Sequence, residues 1–366
     1  MARRFLDKDQ SSIDFISDFY FAGHVASNRD SDRRDVPVAP SGDRPMTSLV
    51  RRALAASLMA LPVVPALAQA PYPSRAITIV VPFPAGGPTD ASARVYGKAL
   101  GETLGQPVVI DNRAGAAGTV GSAFVARAPA DGYTLLWGGT STLAVAPGLY
   151  KNLRYDAQSF VPIGMALRGP MMLAASPASG IASLADLPRK ARDGRLTVGT
   201  AGTGSIGHLS TELYADVAGI KLTHVPYRGG SPAITDAIGG QVDLVFDTAA
   251  ALQPFVKTGK LRALGVGGTQ PYAPLPQTPT LQSALGKPYE AYSWFGLVAP
   301  KETPPAVLET LRKAMAQVSR TAEIRQVLSD QGVEPGVDGP EAFGQVIATD
   351  AAKWARIIQQ AGVTGE

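Results

Sequence analysis

One three-part unit occurs twice in this sequence: a short β-rich run, a glycine-rich loop, then a helix start. The first copy is Ile77-Thr78-Ile79-Val80-Val81, followed by Phe83-Pro84-Ala85-Gly86-Gly87-Pro88. A helical stretch then starts near Thr89 and Asp90, both good capping residues, and runs to about Leu104. The second copy is Leu196-Thr197-Val198-Gly199, then Ala201-Gly202-Thr203-Gly204-Ser205, then Ile206 to Ala218. A strand feeding a helix through a tight loop is the repeating unit of a parallel sheet with helical crossovers. The intervening chain keeps that alternation. Val108-Val109-Ile110 reads as a strand, Gly115 to Gly118 as a tight loop, and Tyr133 to Trp137 as a strand after the Asp131-Gly132 turn. The pattern restarts after a changeover near Arg168. Leu222 to Val225, Val242 to Phe246 and Leu261 to Val266 are further strands. The fold class is therefore α/β, with two units.

Composition agrees. Apolar residues make up 45% of the 366-residue chain and charged residues only 17%, with 39 Gly and 30 Pro. That mixture builds a sizeable core with many loops and suits neither a coiled coil nor a disordered chain. The net charge of +4 is not gathered into a basic, aromatic-laced patch, which argues against nucleic acid as a partner. Cysteine is absent, which removes disulfides, thiolate metal sites and cysteine nucleophiles.

The first seventy residues read as an address. Residues 1–45 are polar and charge-mixed, either disordered or an over-extended start. From Met46 come Arg51 and Arg52, an apolar run from Ala53 to Ala66, and two small-x-small sites, Ala66-Leu67-Ala68 and Ala68-Gln69-Ala70. That order is a secretory signal over residues 46–70. The run is short for a membrane span and is broken by Pro62 and Pro65. A buried helix of a cytosolic protein is the competing reading. Export to the periplasm is the expectation, with no transmembrane span in the mature chain.

After Trp294 the period becomes helical. Val307, Leu308, Leu311, Met315 and Val318 share one face, as do Phe343, Val346, Ile347, Trp354, Ile357 and Ile358.

Several segments together resemble the tripartite tricarboxylate transporter receptor family, the Bug-type periplasmic binding proteins. They are Tyr72-Pro73 with Ile77 to Asp90, Asp111 to Gly118, Ala130 to Leu135, Gly202 to Ser205 with His208-Leu209, Val225 to Gly229, and Trp294 to Pro300. They occur in the family order from Tyr72 onward. Ala201 stands where the family often has Ser, and Ala117 where it often has Gly. The resemblance implies a type II periplasmic binding protein fold with two lobes around a cleft. One lobe would be 71–170 plus 292–366, with the late helices packed back on it, and the other 171–291. It also implies a small ligand carrying a carboxylate, membrane transporter components as partners, a monomer, and no cofactor or metal.

The candidate site follows. Ligands of open α/β sheets gather at the carboxyl ends of strands, where helix N-termini offer free N–H groups to an anion. In the first unit those residues are Phe83, Ala85, Gly86, Gly87 and Thr89; in the second they are Gly202, Thr203, Gly204 and Ser205. Neither loop is a phosphate loop or a dinucleotide fingerprint, and each also reads as a plain connector. Two opposed amide loops would pinch one carboxylate without an arginine. Thr140 and Ser141 are candidate hydroxyl donors, or a plain turn. Asp90 reads as a helix cap. His208 reads as structural or as a ligand contact, and His224 as structural. Tyr227 and Arg228 open another loop, Arg228 being either a second carboxylate contact or a solvated surface group. Asp247 ends a strand and either meets the ligand or caps a helix. Two other functions share these residues. A sensory subunit would use the same fold. A hydrolase would use Ser205 with His208, although no nucleophile-elbow motif is present.

Overall fold

The computed structural model describes residues 71–192 and 195–365, with Pro37. The leader expected over 1–45 and 46–70 lies outside the described residues.

β1 (Ile77–Val81) is buried along nearly its whole length, as expected of a strand inside a parallel sheet covered on both faces. It lies between β2 (Val108–Asn112) and β3 (Thr134–Gly139), both parallel to it. The α1 helix (Pro88–Leu104) follows the first glycine loop. It starts one residue before Thr89: Gly87 is the N-cap and Pro88 occupies the first turn, where its fixed φ and missing N–H cost nothing. Asp90, read as a cap from the sequence, stands three residues past the N-cap. Gly105, with φ 67°, ends the helix in the left-handed conformation. After β2, the α2 helix (Thr119–Ala126) leads to β3. A π-helical turn (Thr140–Val145) and the short α3 helix (Ala146–Leu149) follow it.

The changeover near Arg168 falls within a strand. One strand, β4 (Phe160–Ala175), runs through it without a break. Its first part pairs antiparallel with β9 (Tyr292–Pro300), from Phe160 opposite Pro300 to Pro170 opposite Tyr292. Its last five residues pair instead with β7 (Leu244–Thr248) and, on the other edge, β8 (Arg262–Val266). Register shifts at Pro162/Gly164 and Met165/Leu167 bend the strand as it crosses. Arg168 is fixed at the crossing. Its Nε donates to Glu334 on β10 (Glu334–Pro335) at 2.8 Å, and its guanidinium lies 4.7 Å from the Tyr292 ring centre.

The second set of strands repeats the first. β5 (Thr197–Thr200) lies between β6 (Thr223–Pro226) and β7, parallel to both. The second glycine loop leads from β5 into the α4 helix (Ile206–Ala218), where Ser205 Oγ accepts the His208 N–H at 3.2 Å as a true N-cap. The α5 (Gly230–Ile238) and α6 (Ala249–Lys257) helices follow β6 and β7. The late helices α7 (Pro305–Ser319), α8 (Ala322–Asp330) and α9 (Pro340–Ala361) close the chain.

Three cores hold these layers. α1, α7 and α8 cover one face of the β1–β3 sheet through Tyr96, Leu100, Leu311, Met315 and Leu328. α5 and α6 cover β5 and β7 through Ala233, Ile234, Val245 and Leu252. The third core joins both sets: Trp294, Phe343, Trp354 and Ile357 pack in one cluster with Leu209, Leu213, Tyr214 and Phe246. The α9 helix thus packs against the π turn and also against α4. Among the described residues no helix is long and apolar enough to cross a membrane.

Candidate functional site

The first glycine loop is wired by polar groups. Gly86 N–H donates to Asp90 Oδ2 at 2.9 Å, so a side chain in the first turn reaches back over the cap to the loop. Asp90 is buried, at 3% exposure, and its carboxylate is shared. Arg94 Nε donates to Oδ2 at 2.9 Å, and Asn112 Nδ2 donates to Oδ1 at 3.0 Å and to the Phe83 carbonyl at 3.1 Å. The Arg94 hydrogen bond, helped by the Gly86 amide and Asn112 and opposed by burial, holds the Asp90 carboxyl down to about 2. Asp90 is therefore ionised at any ordinary pH. Gly86 has φ +82°, and a Cβ there would meet open space. The N–H groups of Ala85, Gly87 and Thr89 have no partner among the described residues, and Ala85 is exposed. The Phe83 ring reaches the next loop, where a Cβ on Gly118 would lie 3.2 Å from Phe83 Cζ and 2.6 Å from Thr142 Cγ2.

The second loop repeats the hydrogen bond with another acceptor. Gly204 N–H donates to His208 Nδ1 at 3.1 Å, again from the residue before the cap to the third residue of the helix. Gly204 has φ +72°, and a Cβ there would stand 2.1 Å from Leu149 Cδ2 on α3. The loop is thus packed against the helical segment that follows β3. Gly202 has φ +126° and turns beside the Tyr227 carbonyl. Thr203 is exposed, and its N–H, like those of Ile206 and Gly207, has no partner among the described residues. The His208 ring stacks on His224, with centroids 3.6 Å apart and planes at 6°. Its Nε2 lies 3.5 Å from Glu212 Oε1. Thr200 Oγ1 is 2.7 Å from His224 Nε2. Burial and the neighbouring His208 hold His224 down to about 4, against a smaller upward pull from Glu212.

The remaining predicted residues divide. Ser141 is half-buried, and its hydroxyl has no partner among the described residues. Thr140 is buried, and its Oγ1 accepts the Trp294 N–H at 2.9 Å. The Tyr227 hydroxyl donates to Asp236 Oδ2 at 2.8 Å instead of standing free at the strand end, and burial pushes it up to about 12. Arg228 is exposed. Asp247 stands at the end of β7 with Oδ1 accepting the Thr248 N–H at 2.7 Å. A Cβ on Gly230 would lie 2.2 Å from Asp247 Oδ2, which brings this carboxyl to the start of α5, and burial raises its pKa. Ser205 Oγ serves the His208 backbone, and neither ring nitrogen of His208 is directed at it, so the pair does not form a nucleophile and base. Sequence reasoning missed Asn112, Arg94 and Leu149. Asn112 lay inside a segment carrying the family resemblance; Leu149 gave no local signal.

Beside the crossing strands lies a cavity of about 390 Å3. It is lined by Ala91 and Ser92 of α1, Thr248 at the end of β7, Ala251 of α6, and Ser293 and Phe295 of β9, so it opens between the two sets of helices.

Residues 92–363 match the model of the tripartite tricarboxylate transporter family receptor. The chain belongs to that family. Its relatives include BugT of Bordetella pertussis, 35% identical over 296 residues, covering 80% of this chain and 90% of BugT. A protein of the tcbD-tcbE intergenic region of Pseudomonas sp. strain P51 is 36% identical over 291 residues, 78% of this chain and 86% of that one. Among solved structures, an R. palustris protein with adipate has a TM-score of 0.73 at 35% identity, covering 80% of this chain and 99% of that chain. The periplasmic binding protein BugD has a TM-score of 0.69 at 32% identity, covering 81% and 100%. This tricarboxylate transporter receptor therefore has the mixed α/β fold of periplasmic binding proteins, and its function is solute binding for a tricarboxylate-type transporter.

Proposed function

We propose that the receptor captures a small organic carboxylate in the periplasm, between lobes 71–170 plus 292–366 and 171–291, and presents it to membrane components of its transporter. The observation that carries this is the repeated loop. In each set of strands one amide is tied back to the first helical turn, and others at the helix start are left without a partner. Such amides at a helix N-terminus suit an anion. Of the related structures, the R. palustris protein was solved with adipate. Another from Rhodopseudomonas palustris has bound malate, at TM-score 0.70 and 30% identity, covering 78% of this chain and 100% of that one. Ala85, Gly87 and Thr89 would meet the carboxylate from one side, and Thr203 and the first turn of α4 from the other. Ser141 and Asp247 would border the rest of the ligand. The leader is proposed to be removed after Ala68 or Ala70, so the periplasmic protein would start at Gln69 or Pro71.

A thermal-shift screen of mono-, di- and tricarboxylates on ligand-free refolded protein tests this. A true ligand at one hundred times its dissociation constant stabilises the fold by about 2.7 kcal/mol, and its ester, having lost the charge, gives little shift. Stabilisation by esters as strong as by the acids, or by neutral solutes alone, would refute the carboxylate reading.

A further inference from the structure

The α2 helix leaves an apolar ridge in solvent. Val120 is 52% exposed and Phe124 37%, and they are two of the three large hydrophobic side chains exposed among the described residues. Val120, Phe124 and Arg127 stand at i, i+4 and i+7, so they share one face. The Arg113 guanidinium lies 3.6 Å from the Phe124 ring centre, and Asp111 pairs with that arginine at 2.7 Å. Beside the ridge is a cavity of about 900 Å3. It is walled by Val120 and Arg127 at the two ends of α2, Leu149 of α3, Lys151 and Arg154 of the following turn, and Val363 of the tail. Three cations line it, and no Asp or Glu does. None of the three has an ion-pair partner among the described residues. Asp156, just beyond Arg154, accepts from the Ser159 hydroxyl at 2.9 Å instead.

Both walls of this cavity touch the glycine loops. A Cβ on Gly121 of α2 would lie 3.0 Å from Pro82 Cα, and one on Gly118 would lie 3.2 Å from Phe83 Cζ, so α2 packs directly on the first loop. Leu149 fills the space beside Gly204 of the second loop. A movement of either loop therefore reaches the surface. Its chemistry selects the partner. A second copy of this chain would set the same cations against these and be repelled. A flat bilayer would meet the rim and leave the concavity unfilled. A small anion would use the cations and leave Val120 and Phe124 in water. A protruding segment that carries carboxylates and apolar side chains matches the cations and the ridge together.

We propose that the α2 ridge and the basic cavity beside it form the docking surface for an acidic, apolar-bearing periplasmic segment of the transporter's membrane components. This rests on the reading of the chain as a periplasmic carboxylate receptor. Because α2 and α3 pack on the two loops, a carboxylate held between the loops fixes both walls of the cavity in one arrangement, and the loaded receptor docks more tightly. By linkage, docking tightens the hold on the carboxylate by the same factor.

Titration of the full receptor onto the membrane components, reconstituted in phosphatidylcholine nanodiscs, tests this. The variant Arg127→Glu/Lys151→Glu/Arg154→Glu is expected to weaken docking at least about tenfold, and Val120→Ser about threefold. Both should keep carboxylate affinity, read by calorimetry with adipate, malate and citrate, within about twofold of the parent. Lys257→Glu/Lys260→Glu/Arg262→Glu makes the same change of charge on exposed residues of the other set of strands and should leave docking unchanged. Circular dichroism checks that each variant is folded. Saturating carboxylate should tighten docking of the parent about fivefold. Unchanged docking in the first triple variant, or an equal loss in the second, overturns the proposal. So does binding of the parent to phosphatidylglycerol nanodiscs without transporter as tight as to the reconstituted components, which would make the membrane surface the occupant. Docking that ignores bound carboxylate overturns the coupling to the loops. The two readings fail separately. Intact docking after charge reversal defeats this surface whatever the calorimetry shows, whereas a parent that docks through these cations and binds no carboxylate defeats the capture reading and leaves the surface standing.

Discussion

The loop before α1 and the loop before α4 have the same glycine-rich pattern and differ in what holds them. The first is held by a charge network: Asp90 is buried and bonded to Gly86, Arg94 and Asn112, and the space beside Gly86 is open. The second is held by one imidazole and by packing, with Leu149 filling the space that a Gly204 side chain would need. Equivalent positions in a repeated unit therefore fail for different reasons, and substitutions at matched positions separate them.

Asp90→Ala is the most damaging change. It leaves the Gly86 amide without its acceptor, takes one of two acceptors from the Asn112 amide, and removes the carboxylate that Arg94 bonds. Losing a buried network of this kind costs about 3 kcal/mol. Urea denaturation should show that loss, and carboxylate affinity should fall at every pH. Retention of full stability would mean the network is decorative.

Gly204→Ala comes next and should differ from Gly86→Ala. Both positions have positive φ, which costs about 1 kcal/mol for a side-chain-bearing residue. At Gly204 the new methyl also overlaps Leu149, adding about 1–2 kcal/mol. The double variant Gly204→Ala/Leu149→Ala should recover less than Leu149→Ala costs alone, because the φ penalty stays and a cavity opens. Equal losses at Gly86 and Gly204 in denaturation would contradict the packing difference.

Acid separates the two sides more gently. His224 is held down to about 4, below the ordinary imidazole range. As pH falls below about 6.5 the unfolded chain takes up a proton that the folded chain refuses. Stability therefore falls until pH reaches about 4 and then levels. After a discount for partial exposure the loss is about 1–2 kcal/mol. His224→Asn should flatten that portion of the stability-against-pH curve. Asp90 works in another window: its contribution is complete above about pH 4 and is lost as pH falls toward 2.

Much of this arrangement was legible in the sequence because its signals are local. The β1 strand lies at Ile77–Val81 as its β-branched run predicts, and α4 spans Ile206–Ala218 because Ser205 caps one end and Gly219 turns left-handed at the other. What stays hidden depends on pairing that no single segment shows. The changeover at Arg168 lies within one strand, which pairing with β9 carries past Pro162, Gly164, Gly169 and Pro170. The sequence likewise does not reveal that Trp294, 154 residues away, donates to Thr140. Nor does it reveal that the Tyr227 hydroxyl donates to Asp236.

The central claim is that both loops hold one anion together. The direct measurement is the amide spectrum of the protein titrated with the carboxylate that stabilises it most. The account predicts that Gly87 and Thr89 in one loop, and Thr203 and Ile206 in the other, shift together and saturate at one equivalent. Saturation with shifts confined to one loop, or to neither, would contradict it.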